Sequence, residues 1–142
     1  MGDISFHFDC TYEWETIKSI LQSGKITTSF LMNANHEQIA YALQHCEFVV
    51  VRIFDPFNEY RGGDNPDFEK DVIANHGANE FASFLDQNYA RFRYAPRIRW
   101  VVGWNELYSK RGIAERNQNR KIIDIANAMI DSGFGVGLVR GS

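Results

Sequence analysis

Apolar and polar positions follow two periods along this chain, and the switches between them mark out the elements. Ile4-Ser5-Phe6-His7-Phe8-Asp9 alternates with a period of two, as a strand does. Trp14, Ile17, Ile20 and Leu21 then recur at helical spacing, with Thr11 as the expected N-cap and Gly24 as the expected stop. A second strand follows at Thr27-Thr28-Ser29-Phe30-Leu31-Met32. Asn35, with Gln38 three residues on, forms a capping-box pattern for a helix that buries Ile39, Leu43 and Cys46. Phe48-Val49-Val50-Val51-Arg52-Ile53-Phe54 is β-branched and almost continuously apolar, which suits a parallel strand covered on both faces. A third helix carries Phe81, Phe84, Leu85 and Phe92, and Ile98-Arg99-Trp100-Val101-Val102-Gly103-Trp104 reads as strand four. Ile122, Ile123, Ala126, Met129 and Ile130 form the apolar stripe of a fourth helix that Gly133 stops. Gly135-Val136-Gly137-Leu138-Val139 reads as strand five.

Strands that alternate with helices predict an α/β fold with a parallel sheet and right-handed crossovers, in one domain over residues 1–142. Links from helix to strand are short. The link after strand three spans residues 55–77, and loops longer than about 12–15 residues are usually functional or disordered. Long loops outside the carboxyl ends of parallel strands form the edge where ligands bind. A complete (β/α)8 barrel takes about 250 residues, so the pattern corresponds to a parallel (βα)4β half of a TIM-like barrel, ending in strand five. The alternative is an open flavodoxin-like sheet of five strands, which the chain length suits. No G-x-G-x-x-G follows strand one and no G-x-x-x-x-G-K-[ST] occurs. Gly62-Gly63 sits in an acidic loop that would repel phosphate.

Composition narrows the classes. The 142 residues are 44% hydrophobic and 14% aromatic, which excludes wholesale disorder. The net charge is −3, without a basic stripe, so no nucleic-acid partner is expected. Arg91, Arg93, Arg97 and Arg99 alternate like the exposed side of a loop and strand start. Two cysteines, Cys10 and Cys46, are expected as free thiols. They are too few for a disulfide scaffold or a Cys-rich zinc module. No run approaches the roughly 18 apolar residues of a membrane helix, so no membrane partner is expected. Met1-Gly2-Asp3 lacks the basic start of a secretory signal, and the compartment stays open.

The stretch richest in chemistry is Trp100-Val101-Val102-Gly103-Trp104-Asn105-Glu106-Leu107. A carboxylate at the end of a buried strand is partly desolvated, which raises its pKa and fits it for general-acid work. Asn105 is suited to hold a substrate hydroxyl, and Trp104 offers a surface for a sugar face. The plain alternative is that Glu106 is only the first solvated residue after the strand. The segment resembles the acid/base strand of the large clan of retaining (β/α)8 glycoside hydrolases, in which an Asn-Glu pair ends strand four, commonly after an aromatic residue. That resemblance implies Glu106 as acid/base and Asn105 at the sugar 2-hydroxyl. Arg52, Asp9, Asp55, His7 and Asn33 would then line the same mouth as substrate-binding residues for a carbohydrate. No cofactor is implied.

The clan's nucleophile is a second Glu at the end of strand seven, whereas this sequence reaches only strand five. Retaining chemistry places two carboxyls roughly 5–5.5 Å apart, inverting chemistry roughly 6.5–9.5 Å. Within the sequence Asp9, Asp55 or Glu59 would have to supply the second. Another chain or a C-terminal half would otherwise complete the barrel. A non-catalytic assembly half-barrel is the competing function, since its open sheet edges and the apolar Val136, Leu138 and Val139 would call for a partner. A third reading is a metal-dependent hydrolase at His7 and Asp9, which face the same way on strand one. His36, His45 and His76 fall away from predicted strand ends, so no metal is expected. No nucleophile elbow, His-Glu-x-x-His or EF-hand pattern occurs.

Overall fold

The computed structural model describes residues 5–63, 68–102 and 116–137. Their elements run β1 (Ser5–Asp9), α1 (Trp14–Gln22), β2 (Thr28–Met32), α2 (His36–His45), β3 (Phe48–Ile53), α3 (Phe68–Asn75), α4 (Ala78–Tyr89), a 3₁₀ turn (Ala90–Phe92), β4 (Ile98–Val102) and α5 (Arg116–Asp131). The fold is α/β. Among the described residues four strands form one parallel sheet in the order β1-β2-β3-β4. A flavodoxin-like sheet would instead set β1 between β2 and β3.

The register explains the two faces. Phe8, Leu31, Val51 and Trp100 lie in one row across the sheet, and Asp9, Met32, Arg52 and Val101 in the next. Because side chains alternate, the first row belongs to one face and the second to the other. Leu31, Val51 and Trp100 are buried, together with Ser29, Val49, Ile53 and Ile98 of the same face. On this face Trp100 packs against Tyr89 of α4 at 4.8 Å between rings and edge-on to Phe134 at 6.1 Å. The opposite face is more open: His7 and Arg99 are exposed, and Phe30 and Val50 are half-buried. One row nearer the carboxyl edge, Arg52 and Val101 are buried.

Local chemistry sets the helix ends. Asn35 Oδ1 accepts from Gln38 N–H and Gln38 Oε1 accepts from Asn35 N–H, both at 2.9 Å, completing the expected capping box. Gly24 closes α1 at φ +71°. α5 ends in a Schellman motif: Gly133 N–H donates to Ile130 and Phe134 N–H to Met129, with Gly133 at φ +93°. Arg97 donates to the carbonyls of Leu43 and Cys46 at the carboxyl end of α2, which α2 itself leaves unpaired.

Three expectations need correction. Thr11 does not cap α1; Glu13 holds that position at φ +50°, and Thr11 bonds back to Asp9. Residues 55–77 are not one loop, because α3 lies within them. In α5 the buried stripe is Ile122, Ile125 and Met129, while Ile123 and Ile130 are 57% and 55% exposed. Of the expected strand five, Gly135-Val136-Gly137 are described and run parallel to β4, with Val136 bridging Trp100, Trp100 N–H donating to Gly135 and Gly137 N–H to Trp100; Leu138 and Val139 lie outside the described residues. Among the described residues no helix is long and apolar enough to cross a membrane.

Candidate functional site

Asp9, Asn33 and Asp55 follow or end β1, β2 and β3, so all three lie at the carboxyl edge of the sheet. β4 ends at the same edge, because Val102 pairs with Ile53. Trp104, Asn105 and Glu106, which the sequence marks as the acid/base segment, lie outside the described residues. Asp9 and Arg52 share a register row with Met32 between them, so their backbones stand roughly 10 Å apart. Arg52 Nη1 reaches Met32 Sδ at 3.6 Å, and its guanidinium lies 5.7 Å from the Phe54 ring centre.

Most polar groups at this edge also have a local task. Asp9 Oδ1 accepts from Thr11 N–H at 3.1 Å and from Thr11 Oγ1 at 2.6 Å, turning the chain after β1. Asn33 sits at φ +57°, donates its N–H to the Arg52 carbonyl at 2.8 Å, and accepts from Phe54 N–H at 3.1 Å through Oδ1. It therefore ties the end of β2 to the end of β3. The two Asp55 oxygens accept from Glu59 N–H at 2.9 Å and Tyr60 N–H at 2.8 Å, which folds the first turn of the loop after β3. Asp9 Oδ1, the Asn33 oxygen and both Asp55 oxygens thus carry hydrogen bonds, and among the described residues Asp9 Oδ2 is the oxygen left to a ligand.

His7 is exposed and its ring lies 4.0 Å from that of Phe30. Among the described residues no group of three His, Cys, Asp or Glu side chains is placed to hold a metal. Cys10 and Cys46 are buried free thiols. Burial, reinforced by the neighbouring Asp9 charge, pushes the Cys10 thiol up to about 12, which leaves it unsuited to nucleophilic work near neutrality.

A second polar cluster borders the same edge. His76, between α3 and α4, contacts Glu80 Oε2 through Nδ1 and Glu59 Oε1 through Nε2, each at 2.5 Å. Its ring stacks on Phe57 at 3.8 Å and 14°. Burial alone would lower the His76 pKa; the hydrogen bonds and charges of Glu80 and Glu59 outweigh it and hold the imidazole above its ordinary value. The hydrogen bond with His76, then that from Gly77 N–H, hold the Glu80 carboxyl below the usual range. Phe57, Glu80, Asn79, Ser83, Phe84 and Gln87 line a surface groove of about 500 Å³ between this loop and α4.

Sequence reasoning singled out Glu59 and His76 separately but not together. The local part was readable: Gly77 and Glu80 stand at N-cap and N3 spacing, directly after His76. Compared with protein families, with curated proteins and with solved structures, the chain finds no match in any of the three.

Proposed function

We propose that the carboxyl edge of this sheet is half of a barrel mouth that binds a carbohydrate, with Glu106 as general acid/base of a glycoside hydrolase. One observation supports the reading: the strands are parallel and in sequential order, so β4 ends, at Val102, on the edge that holds Asp9, Asn33 and Asp55, and Trp104-Asn105-Glu106 follow it in the sequence. A sequential parallel sheet with right-handed crossovers has all its helices on one face, as a barrel does. Its other face carries Arg52 and Asp9 at the mouth. In this role Glu106 protonates the leaving oxygen, Asn105 holds the sugar 2-hydroxyl, Trp104 stacks on a sugar face, and Arg52 orients a hydroxyl or the second carboxylate. A further polypeptide, in a continuation of the chain or in a partner, would supply the rest of the mouth.

The test uses the complete protein in its natural assembly. General acid catalysis is worth about 10²–10⁴-fold, so Glu106→Gln should lose that much on glycosides with poor leaving groups. It should lose far less in glycosylation by activated phenyl glycosides, which need little protonation. Equal and small losses on both would remove the catalytic role.

A non-catalytic scaffold is the second reading, and a separate observation favours it. Ile123 and Ile130 stand seven residues apart on α5, both more than half exposed, as a helix face awaiting a neighbour would be. A scaffold would bind its partner through that face and show no glycoside turnover.

A further inference from the structure

Among the described residues, the loop after β3 is ion-paired to the helices at His76. Asp55 folds its first turn, Tyr60 closes onto Gly63, and Arg61 bonds the carbonyls of Asn58 and Tyr60, all within the loop. Across to the helices the Tyr60 ring meets Phe68 of α3 and the Phe57 ring meets Phe81 and Phe84 of α4, all apolar contacts that do not titrate, while Phe57 and the Glu59 carboxylate both engage His76. His76 grips Glu80 in the first turn of α4 with its other nitrogen. A neutral imidazole has a single N–H, so it serves one carboxylate and turns a lone pair toward the other. Two carboxylate contacts at 2.5 Å therefore require the imidazolium or a shared proton.

We propose that Glu59, His76 and Glu80 form a pH-operated latch that fastens the post-β3 loop to α4 and sets the width of the groove between them. The proposal stands apart from the glycoside reading. Among the described side chains, the groups near His76 come from the loop, α4 and α5. The loop brings Glu59 and the uncharged Phe57 ring; α4 brings Glu80 and the Phe81 ring, 6.4 Å away. From α5, Lys121 donates to the carbonyls of Ile73 and Ala74 at the end of α3. The sign follows from the two directions of shift. His76 titrates higher with the latch closed than open, so closure is favoured below the ordinary histidine pKa and fades as pH rises through the closed-state value. Glu80 titrates lower with the latch closed, so closure is also lost as pH falls through the carboxylate range. The latch holds in mildly acid solution and opens toward alkaline pH, in the interval where histidine is the natural switch.

The experiment measures amide hydrogen exchange of residues 57–61, corrected for intrinsic rate, from pH 5.5 to 8.5, alongside a ¹⁵N titration of the His76 ring. Each unit by which the closed-state pKa exceeds the open-state value is about a tenfold change in loop opening. In the unaltered protein loop protection should fall several-fold as His76 deprotonates. In Glu59→Ala the loop should exchange fast at every pH and His76 should titrate lower, while the β2 and β3 amides keep their protection and show that the fold is intact. Glu59→Gln should keep partial protection without the pH dependence. Loop protection that is flat with pH in the unaltered protein, or a His76 titration that Glu59→Ala leaves in place, overturns the latch.

Discussion

Asn33 was expected to contact substrate, yet its side-chain oxygen already accepts Phe54 N–H at 3.1 Å, and its backbone is left-handed at φ +57°. A three-member series separates these two roles. Asn33→Ala leaves the half-buried Phe54 amide without its partner, worth about 1–3 kcal/mol, and places a Cβ-bearing residue without a local polar group at positive φ, worth roughly 1 kcal/mol more. The sum is about 2–4 kcal/mol. Asn33→Gly removes the backbone strain but not the lost bond, and should cost about 1–3 kcal/mol, roughly 1 kcal/mol less than alanine. Asn33→Asp keeps an acceptor and a residue tolerant of left-handed backbone, and should cost under about 1 kcal/mol. Urea unfolding with a constant m value gives the free energies, and melting should shift about 7 °C for the alanine variant. A neutral Asn33→Ala, or an aspartate variant as damaged as alanine, would refute the strand-end brace.

Gly133→Ala should lose more stability than Gly24→Ala. Both carry the penalty of positive φ, roughly 1–2 kcal/mol, but a Cβ at Gly133 would stand 2.6 Å from Tyr94 while one at Gly24 meets nothing within 4 Å. Equal losses would mean that Tyr94 moves aside freely. Cys10, with its thiol at about 12, should react with a disulfide reagent at pH 8 about 10³-fold more slowly than an ordinary thiol. The raised value also means that the stability Cys10 contributes, intact below the ordinary thiol pKa, is lost as pH rises from there toward 12; an alkaline melting series on Cys10→Ser reads the difference.

The sequence carried the element order well because strand and helix periods differ, and the capping box at Asn35 and the stop at Gly133 are local signals. It hid α3, since Phe68, Val72 and Ile73 supply only two turns of pattern between Pro66 and Gly77. It misaimed α5 because Ile122, Ile123, Met129 and Ile130 fit helical spacing on either side of one stripe. Only packing decides which side faces the sheet. At the mouth, residue types were legible but not their occupations. The Asn33 side-chain oxygen, both Asp55 oxygens and Asp9 Oδ1 accept backbone N–H groups, a use that no periodicity announces. The Glu59–His76 contact joins residues seventeen apart in the chain across a helix and a loop, so only the folded structure brings it out.

The central claim is the proposal that the carboxyl edge with Asp9 and Arg52, together with the Trp104-Asn105-Glu106 segment that follows β4 in sequence, binds a sugar. Two-dimensional NMR of the complete protein, titrated with a panel of neutral oligosaccharides, reads this directly. The account predicts that at least one sugar moves the Trp104 indole, the Asn105 side-chain amide and the Arg52 Nε–H signals together and with one affinity, and that Glu106→Gln preserves the binding. Shifts confined to other surfaces, or none at these three groups across the panel, would contradict it.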